Sequence, residues 1–209
     1  MEDNRIFAVG DIHGCRQKLE RLLDKLDWQP ENSEKLVFLG DYIDRGPESF
    51  EVVEIVRELK EHWPEEVTTL KGNHEQMFIN FITGQEDISL EHNGTASTMR
   101  SYDRNCPFPV SHFRFFLNLK LFHETDSYIF VHAGLRPGVP LSMQSEEDCL
   151  WIRNEFLESE FDFGKTVVFG HTPFREPFIL PGRAGLDTGA VFGGQLTCME
   201  LLSGRLITV

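Results

Sequence analysis

The feature that most constrains this chain is a repeated order of short apolar run, glycine-containing polar loop and amphipathic stretch. Residues 6–9 form an apolar run that reads as a buried strand. Behind it Leu19, Leu22, Leu23 and Leu26 keep the i, i+3, i+4, i+7 spacing of one helical face. The order recurs at residues 36–39, after which Pro47 opens a helix striped by Val52, Ile55, Val56 and Leu59. It recurs again at residues 67–70, followed by a helix carrying Met77, Phe78, Phe81 and Ile82 that Gly84 can stop. Successive strand-and-helix units imply an α/β fold with parallel strands, whose ligands bind beyond the carboxyl ends of the strands.

The second half changes character. Residues 113–121 read as a core helix leading into a strand, and strands are expected at 128–131, 166–169, 178–180, 184–187, 195–202 and 205–209. A strand-rich half is thus expected to face a helix-rich one. Between them the polar stretch 85–110, with Asn93, Gly94, Pro107 and Pro109, is too long for a plain connection and reads as a lid or substrate loop.

Size and charge narrow the function. A chain of 209 residues, 40% hydrophobic and 26% charged, is expected to form a single domain over residues 1–209. Twenty Lys and Arg against 34 Asp and Glu leave a net charge of −14, a field that repels nucleic acid unless positive charge is concentrated at one place. The sequence has no apolar run of membrane-spanning length, and Met1 to Gly10 is acidic, without the basic start of a secretory signal. No membrane partner and a cytoplasmic location are therefore expected. Cys15, Cys106, Cys149 and Cys198 lie far apart without a C-x-x-C pair and read as reduced thiols.

Chemistry concentrates where the apolar runs end. Gly10-Asp11-Ile12-His13-Gly14, Gly40-Asp41-Tyr42-Ile43-Asp44-Arg45-Gly46 and Gly72-Asn73-His74-Glu75 follow the first three strands, and His132-Ala133-Gly134 and Gly170-His171-Thr172 follow later ones. If the strand conformation persists, Asp11 and His13 point to one side and grip one cation. Asp41, Asn73, His132 and His171 complete six candidate ligands, too many for one catalytic ion with an open position and about right for two ions sharing a carboxylate, with Asp41 the natural bridge. Two such ions can activate water and clamp an in-line displacement at phosphorus. His74 adjoins the ligand Asn73, so the two side chains should diverge, leaving His74 free to donate a proton while Asp44 orients it. Arg45 and Arg153 suit a planar phosphoryl clamp, and with Asn73 they are the substrate-facing candidates.

Two weaker motifs fall away. Cys15 and Arg21 have the formal C-x5-R spacing, but residues 16–20 are good helix sequence rather than a phosphate loop. Gly164-Lys165-Thr166 lacks the leading glycine of a P-loop and precedes a strand. His62, His92, His112 and His123 lie outside the ligand loops and read as surface or core histidines, and Phe108, Phe113 and Phe116 as core, with a hydrophobic substrate groove as the alternative for these three.

Taken together, GDIHG, GDYIDRG, GNHE, HAG and GHT resemble the signature of the phosphoprotein phosphatase family of binuclear metallophosphoesterases, in its bacterial and phage branch; the likeness runs from Asp11 to about Leu201. Residues 150–153 and 186–191 resemble further segments of that branch, as does Asn93-Gly94 with Thr98, Ser101 and Tyr102. The resemblance implies a four-layer α/β/β/α sandwich. It places Asp11 and His13 on the first metal, Asp41 as bridge, and Asn73, His132 and His171 on the second. It also pairs His74 with Asp44 as the acid and makes Arg45 and Arg153 the phosphate-binding arginines. Two divalent ions are implied, manganese foremost, with iron and zinc as alternatives, and direct attack on phosphorus by a metal-bridging hydroxide. The leading expectation is a serine/threonine protein phosphatase acting on phosphorylated proteins or peptides. Cys15, directly after GDIHG, is shared with related bacterial diadenosine tetraphosphatases and keeps a dinucleoside polyphosphate open as the substrate. A catalytically silent phosphate- or metal-binding module is the third reading, disfavoured because such a module needs no acid.

Overall fold

A computed structural model describes residues 5–85, 94–103 and 108–209. Strands β1 (Ile6–Val9), β2 (Lys35–Phe38) and β3 (Val67–Thr69) pair in parallel, in the order β1-β2-β3. Helices α1 (Arg16–Lys25), α2 (Ser49–His62) and α3 (Asn73–Ile82) follow them in turn, as the periodicity requires. A helix not foreseen in the sequence, α4 (Thr95–Asp103), precedes α5 (Val110–Leu117). Next come β4 (Phe122–Glu124), β5 (Tyr128–Val131), α6 (Glu146–Trp151), α7 (Asn154–Leu157), β6 (Thr166–Phe169), β7 (Phe178–Leu180), β8 (Arg183–Gly185), β9 (Thr197–Glu200) and β10 (Arg205–Thr208).

Among the described residues ten strands make two five-stranded sheets, β10-β9-β1-β2-β3 and β4-β5-β6-β8-β7. The last two strands thus leave the second half and return to the first sheet, β9 lying antiparallel to β1. This corrects the simple division into a helix-rich and a strand-rich half. Nothing local reveals it, because edge pairing depends on which strand is left unpartnered elsewhere.

The alternation of side chains along each strand separates three apolar layers. On β1, Phe7 and Val9 face the helices while Ile6 and Ala8 face the second sheet; on β2, Leu36 and Phe38 face out and Val37 faces in. Phe130 of β5 and Val168 of β6 meet them between the sheets, whereas Ile129, Val131, Val167 and Phe169 turn toward Cys149, Ile152 and Phe156 around α6 and α7. Helix, sheet, sheet, helix is therefore the layer order. Each fully buried large apolar side chain contributes about 1.5–3 kcal/mol. These strands read as continuous apolar runs because both of their faces are covered.

The stretch read as a lid contains α4, which its polar sequence conceals. Thr95, Ser97, Thr98, Ser101 and Tyr102 are buried with their hydroxyls bonded, so the buried face lacks the apolar stripe that marks a helix. Asn93, His92, Cys106 and Pro107 lie outside the described residues. Tyr102 on α4 bonds His112 Nδ1 on α5 (2.8 Å), and His112 Nε2 meets Glu54 on α2 (2.5 Å). Phe116 is fully buried and Phe108 packs against the core, so these phenylalanines are structural, as expected.

Hydrogen bonding to Arg57, reinforced by His112, outweighs burial and lowers the Glu54 carboxyl from 4.5 to about 2. A carboxyl lowered on folding stabilises the fold above its unfolded value, and that contribution is lost as the pH falls through the folded one. Glu54→Gln should therefore lower the urea midpoint at neutral pH, and the gap from wild type should close as the pH falls from 4.5 toward about 2. Urea titrations across that range provide the check.

Candidate metal centre

The ligand loops are bonded to one another before any ligand is considered. Ile12 N and His13 N both donate to the Asp41 carbonyl (3.1 and 2.9 Å), and Gly14 N donates to the Tyr42 carbonyl (2.8 Å). Glu75, buried in the first turn of α3, accepts from the backbone N–H of Asp41 (2.9 Å), Tyr42 (2.9 Å), Ile43 (3.3 Å) and Gly72 (2.9 Å). One carboxylate thereby joins the loops after β2 and β3. Burial and the nearby Asp41 raise the Glu75 carboxyl from 4.5 to about 8, the backbone donors offsetting only part of the rise.

The loops hold their side chains in costly conformations. His13 (φ 47°), Asp41 (φ 52°), Asp44 (φ 70°), Arg45 (φ 67°) and His171 (φ 63°) are all left-handed, and of the described non-glycine residues only Ser33 shares this away from the site. Such backbone costs about 1–3 kcal/mol per residue and persists where the surroundings impose it. His13 is therefore placed beside Asp41 by a left-handed turn after β1 ends at Val9, not by the strand alternation assumed from its spacing to Asp11. Close approach also fixes two glycines: a Cβ on Gly72 would fall on the Asp41 carboxylate, and one on Gly170 would fall on Asp11.

Two triads of ligand atoms converge on Asp41, namely His13, Asp41 and His74, and Asp41, His132 and His171. In the first, His13 Nδ1 faces the Ile43 carbonyl (2.8 Å), which can only accept, so Nδ1 carries the proton and Nε2 turns to Asp41 Oδ2 (3.3 Å). In the second, His132 Nδ1 faces the Leu39 carbonyl (2.9 Å), leaving Nε2 toward Asn73 Oδ1 (2.9 Å) and Asp41 Oδ1 (3.5 Å). His171 Nδ1 lies 3.1 Å from the same Asn73 oxygen, and its Nε2 has no partner. Burial lowers His132, with Asp41 opposing, and lowers His171 to about 2, with His132 adding. Both rings are thus neutral and offer lone pairs.

Asp11 joins neither triad. Both its oxygens accept from the His171 backbone N–H (3.2 and 3.0 Å), and burial together with Asp187 and Asp41 pushes its carboxyl well up. Asp187, not singled out from the sequence, completes this acidic group: it is buried, its Oδ1 accepts from Gly189 N (2.9 Å), and burial raises it too. Burial would raise Asp41, but the His74 and His13 rings beside it hold it well below the carboxylate range. Bare imidazole and amide acceptors facing one another beside buried carboxylates lack positive charge between them. Divalent cations supply it, and the donor set of imidazole, amide oxygen and carboxylate suits them.

His74, expected from the sequence to lie apart from the ligands, belongs to the first triad and also faces Asp44 and Arg45. Its Nδ1 lies 2.7 Å from Asp44 Oδ2, and Arg45 Nη2 lies 3.1 Å from its Nε2. Arg45 also covers the Phe192 ring, its guanidinium carbon 5.1 Å from the centroid. On the other side, Ser145 caps the start of α6 by accepting from Asp148 N (3.0 Å), and the helix ends at Trp151, whose ring meets His171 edge-on with centroids 6.0 Å apart. Arg153, two residues on, donates to Thr172 Oγ1 (3.1 Å) beside that histidine. The two arginines therefore flank the histidine and carboxylate cluster.

The family model of calcineurin-like phosphoesterases matches residues 4–175. The chain belongs to this family. It is 29% identical over 230 aligned residues to the bis(5'-nucleosyl)-tetraphosphatase PrpE [asymmetrical] of Bacillus thuringiensis (strain Al Hakam), covering 96% of this chain and 92% of the relative. The enzyme of the same name from Bacillus cereus (strain B4264) is 30% identical over the same coverage. Among solved structures, one described as a candidate diadenosine tetraphosphatase superposes with TM-score 0.78 at 26% identity, over 100% of this chain and 94% of its own. A protein serine/threonine phosphatase from Saccharomyces cerevisiae (TM-score 0.69, 20% identity, 100% and 80% coverage) shares the fold. This membership implies divalent metals, and the sandwich foreseen from the motifs is the fold observed.

Ligand binding to the folded state alone raises stability, by about 2.7 kcal/mol at a hundredfold excess over Kd. Manganese added to chelator-treated protein should therefore raise Tm by about 5–10 °C for a chain of this size. Asp41→Asn, which reaches into both triads, should lose most of that rise. Differential scanning fluorimetry with and without manganese measures both.

Proposed function

We propose that this protein is a metal-dependent bis(5'-nucleosyl)-tetraphosphatase that cleaves dinucleoside tetraphosphates into unequal nucleotides. The observation that carries the reading is near full-length similarity to relatives named for that asymmetrical activity, against protein phosphatase likenesses of 17–20% identity that extend to fold alone. The leading expectation from the motifs, a serine/threonine protein phosphatase, becomes the second reading. It is favoured by the complete GDYIDRG and GNHE segments.

His13, Asp41, Asn73, His132 and His171, with Asp11, would hold two divalent ions, manganese foremost. When bound, the ions supply Lewis-acid polarisation of the phosphoryl group and an activated water. The remaining work falls to the chain's own groups. Arg45 and Arg153 bind phosphoryl oxygens from the two flanks, and their positive charge, with that of the ions, draws a polyanion to a protein of net charge −14.

Asp44 holds the His74 ring through Nδ1, which leaves Nε2 as the working atom. Arg45 now donates to that Nε2, so the imidazole carries its proton toward Asp44. A phosphate that draws the guanidinium away frees Nε2 to take up a proton from solvent water and pass it to the departing phosphate oxygen. Water adds to one phosphorus as a P–O bond breaks, and nucleoside monophosphate and triphosphate leave.

Manganese-reconstituted enzyme should release nucleotide from diadenosine tetraphosphate and leave a phosphothreonine peptide largely intact, as chromatography of the products resolves. Peptide dephosphorylation with the dinucleotide untouched would instead establish the second reading. His74→Asn should cut kcat by about 10²–10⁴-fold with Tm unchanged, and near wild-type turnover would remove His74 from the proton-transfer role.

A further inference from the structure

Helix α4 holds the acid pair from behind. Asp44, Thr95 and Thr98 are all fully buried. Thr98 Oγ1 donates to Asp44 Oδ1 (2.7 Å) and accepts from the Asp44 backbone N–H (2.8 Å), with Ser49 Oγ a further 3.1 Å away. Thr95 Oγ1 donates to Asp44 Oδ2 (3.2 Å), the oxygen that meets His74 Nδ1 at 2.7 Å. Both carboxylate oxygens and the N–H of a left-handed residue are therefore held by two hydroxyls one helical turn apart.

The same helix start reaches the phosphate clamp. The Gly94 carbonyl accepts from Arg45 N (3.3 Å), and Gly94 is itself left-handed (φ 81°), pressed so close that a Cβ would fall on Arg45. Behind the helix, Ser101 Oγ accepts from Phe50 N (3.0 Å), and the chain from Tyr102 through His112 to Glu54 ties α4 to α5 and α2. Phe50 stacks on His112 and meets the Tyr102 ring edge-on. The helix is thus a braced support, and its polar buried face is directed at the residue that orients His74.

We propose that Thr95 and Thr98 are positioning residues for the proton transfer at His74. A dry carboxylate bonded to one imidazole alone can turn about its side-chain torsions and carry the ring with it. Two hydroxyl donors fix its plane, and the imidazole then presents Nε2 in one direction. Both hydroxyls bond Asp44, and each acts through it. The two buried threonines of α4, a poor choice for packing alone, are accounted for by this duty.

The inference rests on His74 as proton donor, and the test separates the two. A lost donor slows poor leaving groups more than good ones, because a good leaving group departs without the proton. In manganese-loaded enzyme, Thr98→Val should lower kcat for phenyl phosphate about tenfold more than for 4-nitrophenyl phosphate. It should also lower kcat rather than raise KM for diadenosine tetraphosphate. Thr98→Ser, which keeps the hydroxyl, should restore both, and His74→Asn should show the same leaving-group selectivity more strongly.

Equal losses on the two aryl esters in Thr98→Val, or no rescue by serine, would overturn the inference while selective loss in His74→Asn kept the donor reading intact. Equal losses in His74→Asn would overturn the donor reading itself. Should Thr98→Val fail to fold, Thr95→Val removes the longer of the two contacts and carries the same comparison with a smaller expected selectivity.

Discussion

The carboxylate of Glu75 is the contact on which the site depends. Loop backbone at strand ends has unpaired N–H groups, and burying them without partners costs about 1–3 kcal/mol apiece. Glu75 accepts four of them, from Asp41, Tyr42, Ile43 and Gly72. Because it stands in the first turn of α3, it ties the loop bearing Asp41, Asp44 and Arg45 to the helix bearing Asn73 and His74. The Asp41 carbonyl then carries the tie onward by accepting from the loop that bears His13. Left-handed backbone at His13, Asp41, Asp44 and Arg45 persists in loops that this network holds in place.

Electrostatics completes what the backbone begins. Asp11, Asp41 and Asp187 are buried together, a poor arrangement for folding alone, and burial pushes Asp11 and Asp187 up. Asp41 escapes because His74 and His13 face it. Burial keeps His132 and His171 neutral, so they offer lone pairs to a cation. Carboxylates that repel one another and imidazoles that stay uncharged are both relieved by one change, the arrival of divalent ions.

Much of the site was legible because its residues follow strands at glycine-marked loops. Asp41, Asn73, His132 and His171 come together as their spacing and residue types implied, and Asp44 meets His74. What escaped were supports rather than ligands. Glu75 was visible within GNHE, but its task is to accept backbone N–H groups, which no side-chain pattern announces. Asp187 sits at the end of an ordinary strand run, and only folding brings it beside Asp11. Helix α4 escaped because its buried face is made of threonine, serine and tyrosine, so the apolar period that marks a helix is missing.

The sequence by itself determined the strand-and-helix repeats, the apolar layers and the loops that bear ligands, because these follow from local periodicity and residue chemistry. Tertiary structure alone decided that β9 and β10 return to the first sheet, that His13 reaches Asp41 through a left-handed turn, and that Thr95 and Thr98 stand behind Asp44. The physical reason is range. Periodicity is set by neighbours a few residues apart, whereas edge pairing, backbone strain and buried hydrogen bonds are settled by partners dozens of positions away, and these become neighbours only once the layers close.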